Sequence, residues 1–404
     1  MLSQFAIAQT NYVYDNNQRL INLSHKKGAS VLASYDYSYD DAGKLNQTIS
    51  SKDGTSNYNY DATNQLTGAS HTTQTNETYQ YDSNGNRVNT GYQTGANNQL
   101  LSDGTYNYQY DDEGNRTKRT EIATGKVTEY VWDYHNRLTS VLLKDAGGVV
   151  TKTIEYAYDV NNQRIGKKID GVVSERYVLD RNQIALVFDG AGNQTHRYLY
   201  GTGVDQILAD ETPTQTLWAL SDRQGTVADL IDNNGAIVNH LTYDSFGKVV
   251  SQTSPSVVFR YGYTGRETDA ETGYYYYRAR YYDAGVGRFI GEDPLGFGAG
   301  DKNLTRYVGN SPINFVDPSG LKPNLKSAGD MIDGGRGGGG GGGGGGGYAQ
   351  PTGTGLGTGS TGSAGARPYT PGYDPRYKYQ PSDLGSPWGF LHKPSKRGNK
   401  QIYI

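Results

Sequence analysis

Thr105-Tyr106-Asn107-Tyr108-Gln109-Tyr110-Asp111-Asp112-Glu113-Gly114-Asn115-Arg116 contains one complete copy of the unit from which this chain is built. Its aromatic residues alternate with polar ones, which is the period of a half-buried strand. The aspartate that ends the alternation starts a turn, because its side chain bonds backbone amides two residues on. Gly114-Asn115 then supply the positive φ that a tight hairpin needs, and Arg116 opens the return strand. Such a hairpin cannot bury its own face. Stacking hairpins into one long, twisted sheet solves that problem.

The unit recurs. Its aromatic-Asp anchors are Tyr14-Asp15, Tyr39-Asp40, Tyr60-Asp61, Tyr81-Asp82, Tyr110-Asp111, Trp132-Asp133 and Tyr158-Asp159, with Leu179-Asp180 as a looser copy, 21 to 29 residues apart. A period in this range predicts a repeat architecture in place of a single-core domain. From Tyr177 onward the pattern loosens but still alternates strands and turns, as in Tyr243-Asp244-Ser245-Phe246-Gly247. Each aspartate reads as a turn cap; the dense Gly-Gly-x-Gly-x-Asp repetition of calcium-binding β-rolls is absent, so no metal is expected. The tyrosines have two open readings, packing between layers and stacking on sugar rings, with packing preferred.

Composition agrees with thin β-layers. Only 34% of the 404 residues are hydrophobic, yet 36 are tyrosine, a ring that buries one edge and keeps its hydroxyl hydrated. With no cysteine, disulfides, thiolate nucleophiles and cysteine–zinc sites are excluded. No apolar run reaches the length of a membrane span, and Met1–Thr10 does not read as a signal peptide. The net charge of −3 hides an asymmetry. Residues 1–321 hold 28 Lys/Arg against 37 Asp/Glu, and residues 322–404 hold 10 against 4, an acidic array followed by a basic tail.

The densest order lies in 261–321. Tyr263-Thr264-Gly265-Arg266-Glu267, Tyr276-Tyr277-Arg278-Ala279-Arg280-Tyr281-Tyr282-Asp283, Gly287-Arg288-Phe289, Arg306-Tyr307-Val308-Gly309-Asn310 and Asp317-Pro318-Ser319-Gly320-Leu321 follow one another here. With the Tyr-Asp units upstream, these motifs resemble the C-terminal half of an Rhs/YD-repeat protein, ending in the Rhs-associated core domain. The resemblance covers residues 11–321 and nothing after Leu321.

That resemblance implies an all-β fold: hairpins stacked into a spirally wound sheet, part of a shell, closed by a core-domain plug. The expected division is a YD-repeat array over 1–250, the core domain over 251–321, a glycine-rich linker over 322–367 and a short basic effector or remnant over 368–404. The resemblance also implies a C-terminal effector enclosed as cargo, often a toxin between competing bacteria, cut from the shell after the leucine of Asp-Pro-x-Gly-Leu. The scissile bond is then Leu321–Lys322. The implied carboxylate pair is Asp293 and Asp317, with Arg288 assisting, Pro318 stiffening the turn and Gly320 letting the backbone bend close.

Two carboxylates held close share one proton, so one serves as base toward water and the other as acid toward the scissile carbonyl. Taken alone, both Asp-Pro pairs read equally as turns. Glu292 adds a third carboxylate beside Asp293 and is expected to raise a neighbour's pKa. At most this would be a single-turnover autoprotease with no cofactor.

Gly337–Gly347 is an unbroken glycine run that reads as a flexible linker, without the Gly-Lys-Ser/Thr of a phosphate loop. Pro368–Ile404 interleaves aromatic and basic residues, a pattern compatible with nucleic-acid binding, and its lone His392 supports no catalytic role. The implied partners are the chain's own tail, an immunity protein and secretion machinery. The implied location is the cytoplasm before export, then outside the cell or on its surface through a delivery system. Two other readings stay open, a non-cleaving surface or carbohydrate-binding repeat protein and an inactive remnant of a toxin.

Overall fold

The computed structural model describes residues 7–325 and 400–403. Its long elements are all β-strands, and its helical pieces are single 3-10 turns such as Val308–Asn310. Strands pair antiparallel with their sequence neighbours. One sheet of eight carries Gln9–Tyr14 through Glu77–Thr78 in chain order, with Lys400–Tyr403 added outside Gln9–Tyr14. A second sheet of sixteen runs from Tyr92–Thr94 to Val249–Gln252 without a crossover. The all-β stack of hairpins expected from the repeat is the fold observed.

The repeating aspartate makes each turn. At Asp133, Oδ1 accepts the amides of His135 (2.9 Å) and Arg137 (3.0 Å), and Asn136 takes the left-handed conformation with φ 56°. Asp61, Asp82, Asp159, Asp222 and Asp244 likewise accept amides two and four residues on. An oxygen filled by two backbone amides is a turn cap.

The anchor tyrosines set the stacking. The hydroxyl of Tyr39 donates to Leu20 O (2.7 Å), Tyr60 to Leu45 O (2.6 Å), Tyr158 to Leu138 O (2.8 Å) and Tyr243 to Val227 O (2.9 Å). Each acceptor is the first residue of the return strand after the preceding turn. The ring packs between hairpins while its hydroxyl satisfies a backbone carbonyl, so one side chain fixes both spacing and register. Packing is therefore the part these tyrosines play.

The array winds back on itself. His240 sits between Asp229 (2.8 Å) and Asp53 (3.0 Å), the Ser245 amide donates to Glu77 (3.1 Å), and the Arg223 amide donates to the Tyr37 hydroxyl (3.2 Å). The late strands thus meet the early hairpins through side chains. Among the described residues no strand of one large sheet pairs with the other, and the winding stays unclosed.

Residues 261–316 fill the inside of this winding. Val286 packs with Leu100 and Tyr108, while Tyr274, Tyr281 and Ile290 pack with Tyr130, Val141 and Ile154. Tyr261 joins Tyr177, Val187 and Leu230, and Ile313 joins Tyr12, Leu23 and Leu66. Buried ion pairs tie the same segment to the sheet, as between Arg116 and Asp283 at 2.7 Å. A charge this deep needs a partner, so such pairs fix position more than they add stability. The linker and effector expected over 322–367 and 368–404 lie outside the described residues, apart from 322–325 and 400–403.

Candidate functional site

The site is built on a two-residue hairpin. Strand Tyr275–Tyr277 pairs with Arg280–Asp283, and Tyr277 lies opposite Arg280, which leaves Arg278-Ala279 as the turn. Arg278 takes φ 60°, the hand such a tight hairpin requires. The hairpin tip reaches the chain at Asp317–Lys322 and holds three successive carbonyls there. Arg278 donates to Pro318 O, the Ala279 amide to Ser319 O (3.2 Å), and Arg280 Nε to Gly320 O (2.5 Å). Gly320 has φ 72°, and a β-carbon on it would lie 2.4 Å from Tyr277 O. Only glycine fits.

Asp317 completes the clamp from the other side. Its Oδ1 accepts the amides of Leu321 and Lys322, both at 3.1 Å, and the Ser319 hydroxyl at 3.1 Å. The Lys322 amide nitrogen belongs to the bond expected to break. Arg280 then joins the two expected aspartates. Its Nη2 lies 2.9 Å from Asp293 Oδ2 and 3.5 Å from Asp317 Oδ2, and all three side chains are buried. The guanidinium rests on the Phe289 ring, 3.6 Å from its centroid.

Burial pushes the Asp293 carboxyl above its ordinary range; Arg280 and the Leu295 amide oppose this, and the Asp317 charge adds to it. Burial also pulls Arg280 down to about 10, against the charges of Asp293 and Asp317, which leaves it protonated at neutral pH. The same Asp293 caps its own turn, accepting the Leu295 amide at 2.9 Å. A cavity of about 300 Å³ opens beside Leu321, with Leu179, Ile184, Tyr200 and Tyr276 in its wall.

Two expectations are corrected. Arg288 does not meet the carboxylates. It donates to Asn98 O (2.8 Å), Asn303 Oδ1 (2.8 Å) and Thr305 Oγ1 (2.6 Å), and so fastens the core segment to a hairpin of the array. The reason is strand alternation: Phe289 faces Arg280, so its neighbour Arg288 points to the opposite side. Glu292 is not the carboxylate that acts on Asp293 either. It packs against Gly114, and its own carboxyl is raised by burial and by Asp111. Arg278 lies in the hairpin turn and Arg280 heads the return strand, so no spacing rule in the sequence marks both as reaching residues 318–320.

A sequence profile of the Teneurin YD-shell family matches residues 4–306. The chain belongs to that family. This Teneurin YD-shell chain is an Rhs/YD-repeat protein, and its curated relatives include nucleases. It is 30% identical over 314 residues to the tRNA nuclease WapA of Bacillus subtilis, a match spanning 76% of this chain and 12% of that one. It is 28% identical over 235 residues to the probable deoxyribonuclease RhsA of Dickeya dadantii, spanning 55% and 16%. The chain therefore covers less than a fifth of either relative. A Tc holotoxin pore structure from Photorhabdus luminescens superposes with a TM-score of 0.58 at 19% identity, over 81% of this chain and 18% of that one, a likeness of fold. The YD-shell match ends before Asp317 and the clamp around residues 317–322.

Proposed function

We propose that this chain is the end portion of a carrier shell that cuts itself once, between Leu321 and Lys322, and thereby releases the segment that follows. The observation that carries this reading is the Asp317 carboxylate, which accepts the Lys322 amide at 3.1 Å while sharing Arg280 with Asp293. The reaction needs one proton on the pair, and Asp293, whose carboxyl burial raises, is the member proposed to carry it. Asp317 takes a proton from water as the water oxygen bonds to the Leu321 carbonyl carbon, and Asp293 gives its proton to the carbonyl oxygen. The C–N bond then breaks. Asp317 passes its proton to the Lys322 nitrogen, and the proton on the former carbonyl oxygen returns to Asp293. Leu321 is left with a carboxyl group and Lys322 with a free amine. Arg280 holds both carboxylates and the Gly320 carbonyl in place throughout.

The relatives' names extend the reading from cleavage to context. Proteins named as nucleases share this shell, which supports a role for residues 322–404 as cargo in bacterial competition, handed over through a delivery machine and countered by an immunity protein. The test is an intact mass of the purified chain. Two fragments meeting at Leu321–Lys322, and one uncut species for Asp317→Asn, are the expected result. A wild-type chain that stays whole under native conditions rules the proposal out.

A further inference from the structure

The first strand, Gln9–Tyr14, stands at the end of its sheet and pairs on one side with Leu20–Lys27. On its other side lies a later strand of the same chain, 388 residues further on in the closest pairing, Tyr12 with Lys400 and Gln9 with Tyr403 in antiparallel register, with Thr10 and Asn11 opposite Ile402 and Gln401. An unpaired sheet edge is a template for any extended chain, and proteins cover such edges. Here the cover comes from the segment beyond the candidate cleavage bond.

We infer that the edge Gln9–Tyr14 is a strand-accepting surface whose occupant is the chain's own Lys400–Tyr403, held there by the covalent tether. Four residues of ladder, added to one side of one strand, pair weakly when the two pieces are separate molecules. Joined through the glycine-rich sequence that follows Lys322, they meet at an effective concentration on the order of millimolar. Cutting the chain anywhere between Leu321 and Lys400 removes that advantage. The strand then leaves at ordinary protein concentrations and the edge becomes free to add a strand from elsewhere, the binding mode in which main-chain hydrogen bonds give affinity. That self-cleavage triggers this uncovering rests on the proposed function; the pairing and its dependence on the tether do not.

The experiment therefore avoids self-cleavage. A site-specific protease sequence is inserted between Gly341 and Gly342 of the full chain carrying Asp317→Asn, and amide hydrogen exchange is followed on residues 9–12. Amides along a strand alternate in direction, so only those facing Lys400–Tyr403 report. They should be protected in the uncut chain and exchange at least tenfold faster once the chain is cut at micromolar concentration. A synthetic peptide of residues 394–404 at millimolar concentration should restore protection. The same peptide with Gln401→Pro and Ile402→Pro should not, because one of two adjacent amides must face the ladder and proline removes both. Unchanged exchange after cutting, or rescue by the proline peptide, overturns the inference. So does a dimer of the uncut chain by light scattering, which would place the strand on a second copy.

Discussion

The Asp317 carboxylate lies 3.1 Å from the Lys322 amide nitrogen, the atom that departs if the Leu321–Lys322 bond is cut. This relationship depends on the Lys322 backbone and not on its side chain. Lys322→Ala should therefore cleave at a rate within about threefold of the parent. Lys322→Pro has no N–H to donate, and proline also fixes the local φ. Proline keeps the nitrogen that must be protonated but loses the N–H···O bond that holds it beside Asp317. Because general acid–base steps contribute about 10²–10⁴ in rate, misplacing that step should slow cleavage by at least ~100-fold. A mass-spectrometric time course separates the two variants. Equal rates for both would remove Asp317 from the leaving nitrogen.

The two arginines expected and found make opposite predictions. Arg280 touches both carboxylates and the Gly320 carbonyl, so Arg280→Lys keeps the charge but loses the planar fork that reaches all three. Cleavage should slow by about tenfold or more. Arg288→Lys breaks the contacts to Asn98, Asn303 and Thr305 instead. It should lower stability by about 1–3 kcal/mol, the usual cost of buried partners left unpaired, with little change in cleavage rate. Denaturant melts and cleavage rates measured on the same samples decide the matter, and a reversal of the two phenotypes would restore Arg288 to the site.

Gly320 carries two constraints at once, a left-handed φ of 72° and a β-carbon position 2.4 Å from the Tyr277 carbonyl oxygen. Gly309 shares the left-handed φ, at 64°, but its β-carbon would meet nothing within 4 Å. Gly309→Ala should show only the conformational penalty, about 1 kcal/mol, with cleavage intact. Gly320→Ala must push the 318–320 turn off the hairpin tip and should abolish cleavage within the time that the parent takes to finish. Cleavage of Gly320→Ala at the parental rate would mean that the clamp on residues 318–320 does not position the bond.

What the sequence makes legible here is what is local. The turn aspartates act over two and four residues, so Asp133 with His135 and Arg137 could be read directly from Trp132-Asp133-Tyr134-His135-Asn136-Arg137. Asp293 and Asp317, each before a proline, read from the residues alone as turns, and only the family resemblance singled them out as a candidate pair. Arg280 was not singled out, because choosing it over Arg288 requires knowing which face of a short strand meets Asp317, and that is settled by the register of Tyr282 with Phe289. The return of the array onto its own start was hidden for a similar reason. Asp53 and His240 carry no mark of their meeting, which depends on the summed twist of all the hairpins between them. Lys400–Tyr403 looked like part of a basic tail, since an added edge strand needs only backbone.

The seam where that return occurs gives a pH prediction. Asp244 caps the turn Asp244–Lys248, accepting the amides of Phe246 (3.0 Å) and Lys248 (2.9 Å). The neighbouring Ser245 amide donates to Glu77, which also meets His71 at 3.0 Å. Burial, with the Glu77 charge added to it, pushes Asp244 up to about 6, and the Lys248 amide and Arg87 only partly offset this. In the unfolded chain the same carboxyl titrates near its ordinary value of about 4. The folded state therefore binds the proton more tightly. The group's contribution is most favourable below about pH 4, weakens as pH rises toward 6, and above that is a constant penalty. Asp244→Asn keeps an oxygen for the two amides and removes the charge. After allowance for partial solvent screening, the variant should be about 1–2 kcal/mol more stable than the parent at pH 7.5 and indistinguishable from it near pH 4. Urea melts of the two proteins at both pH values test this. A stability difference that is the same at pH 4 and pH 7.5 would show that the Asp244 charge is not what strains the seam.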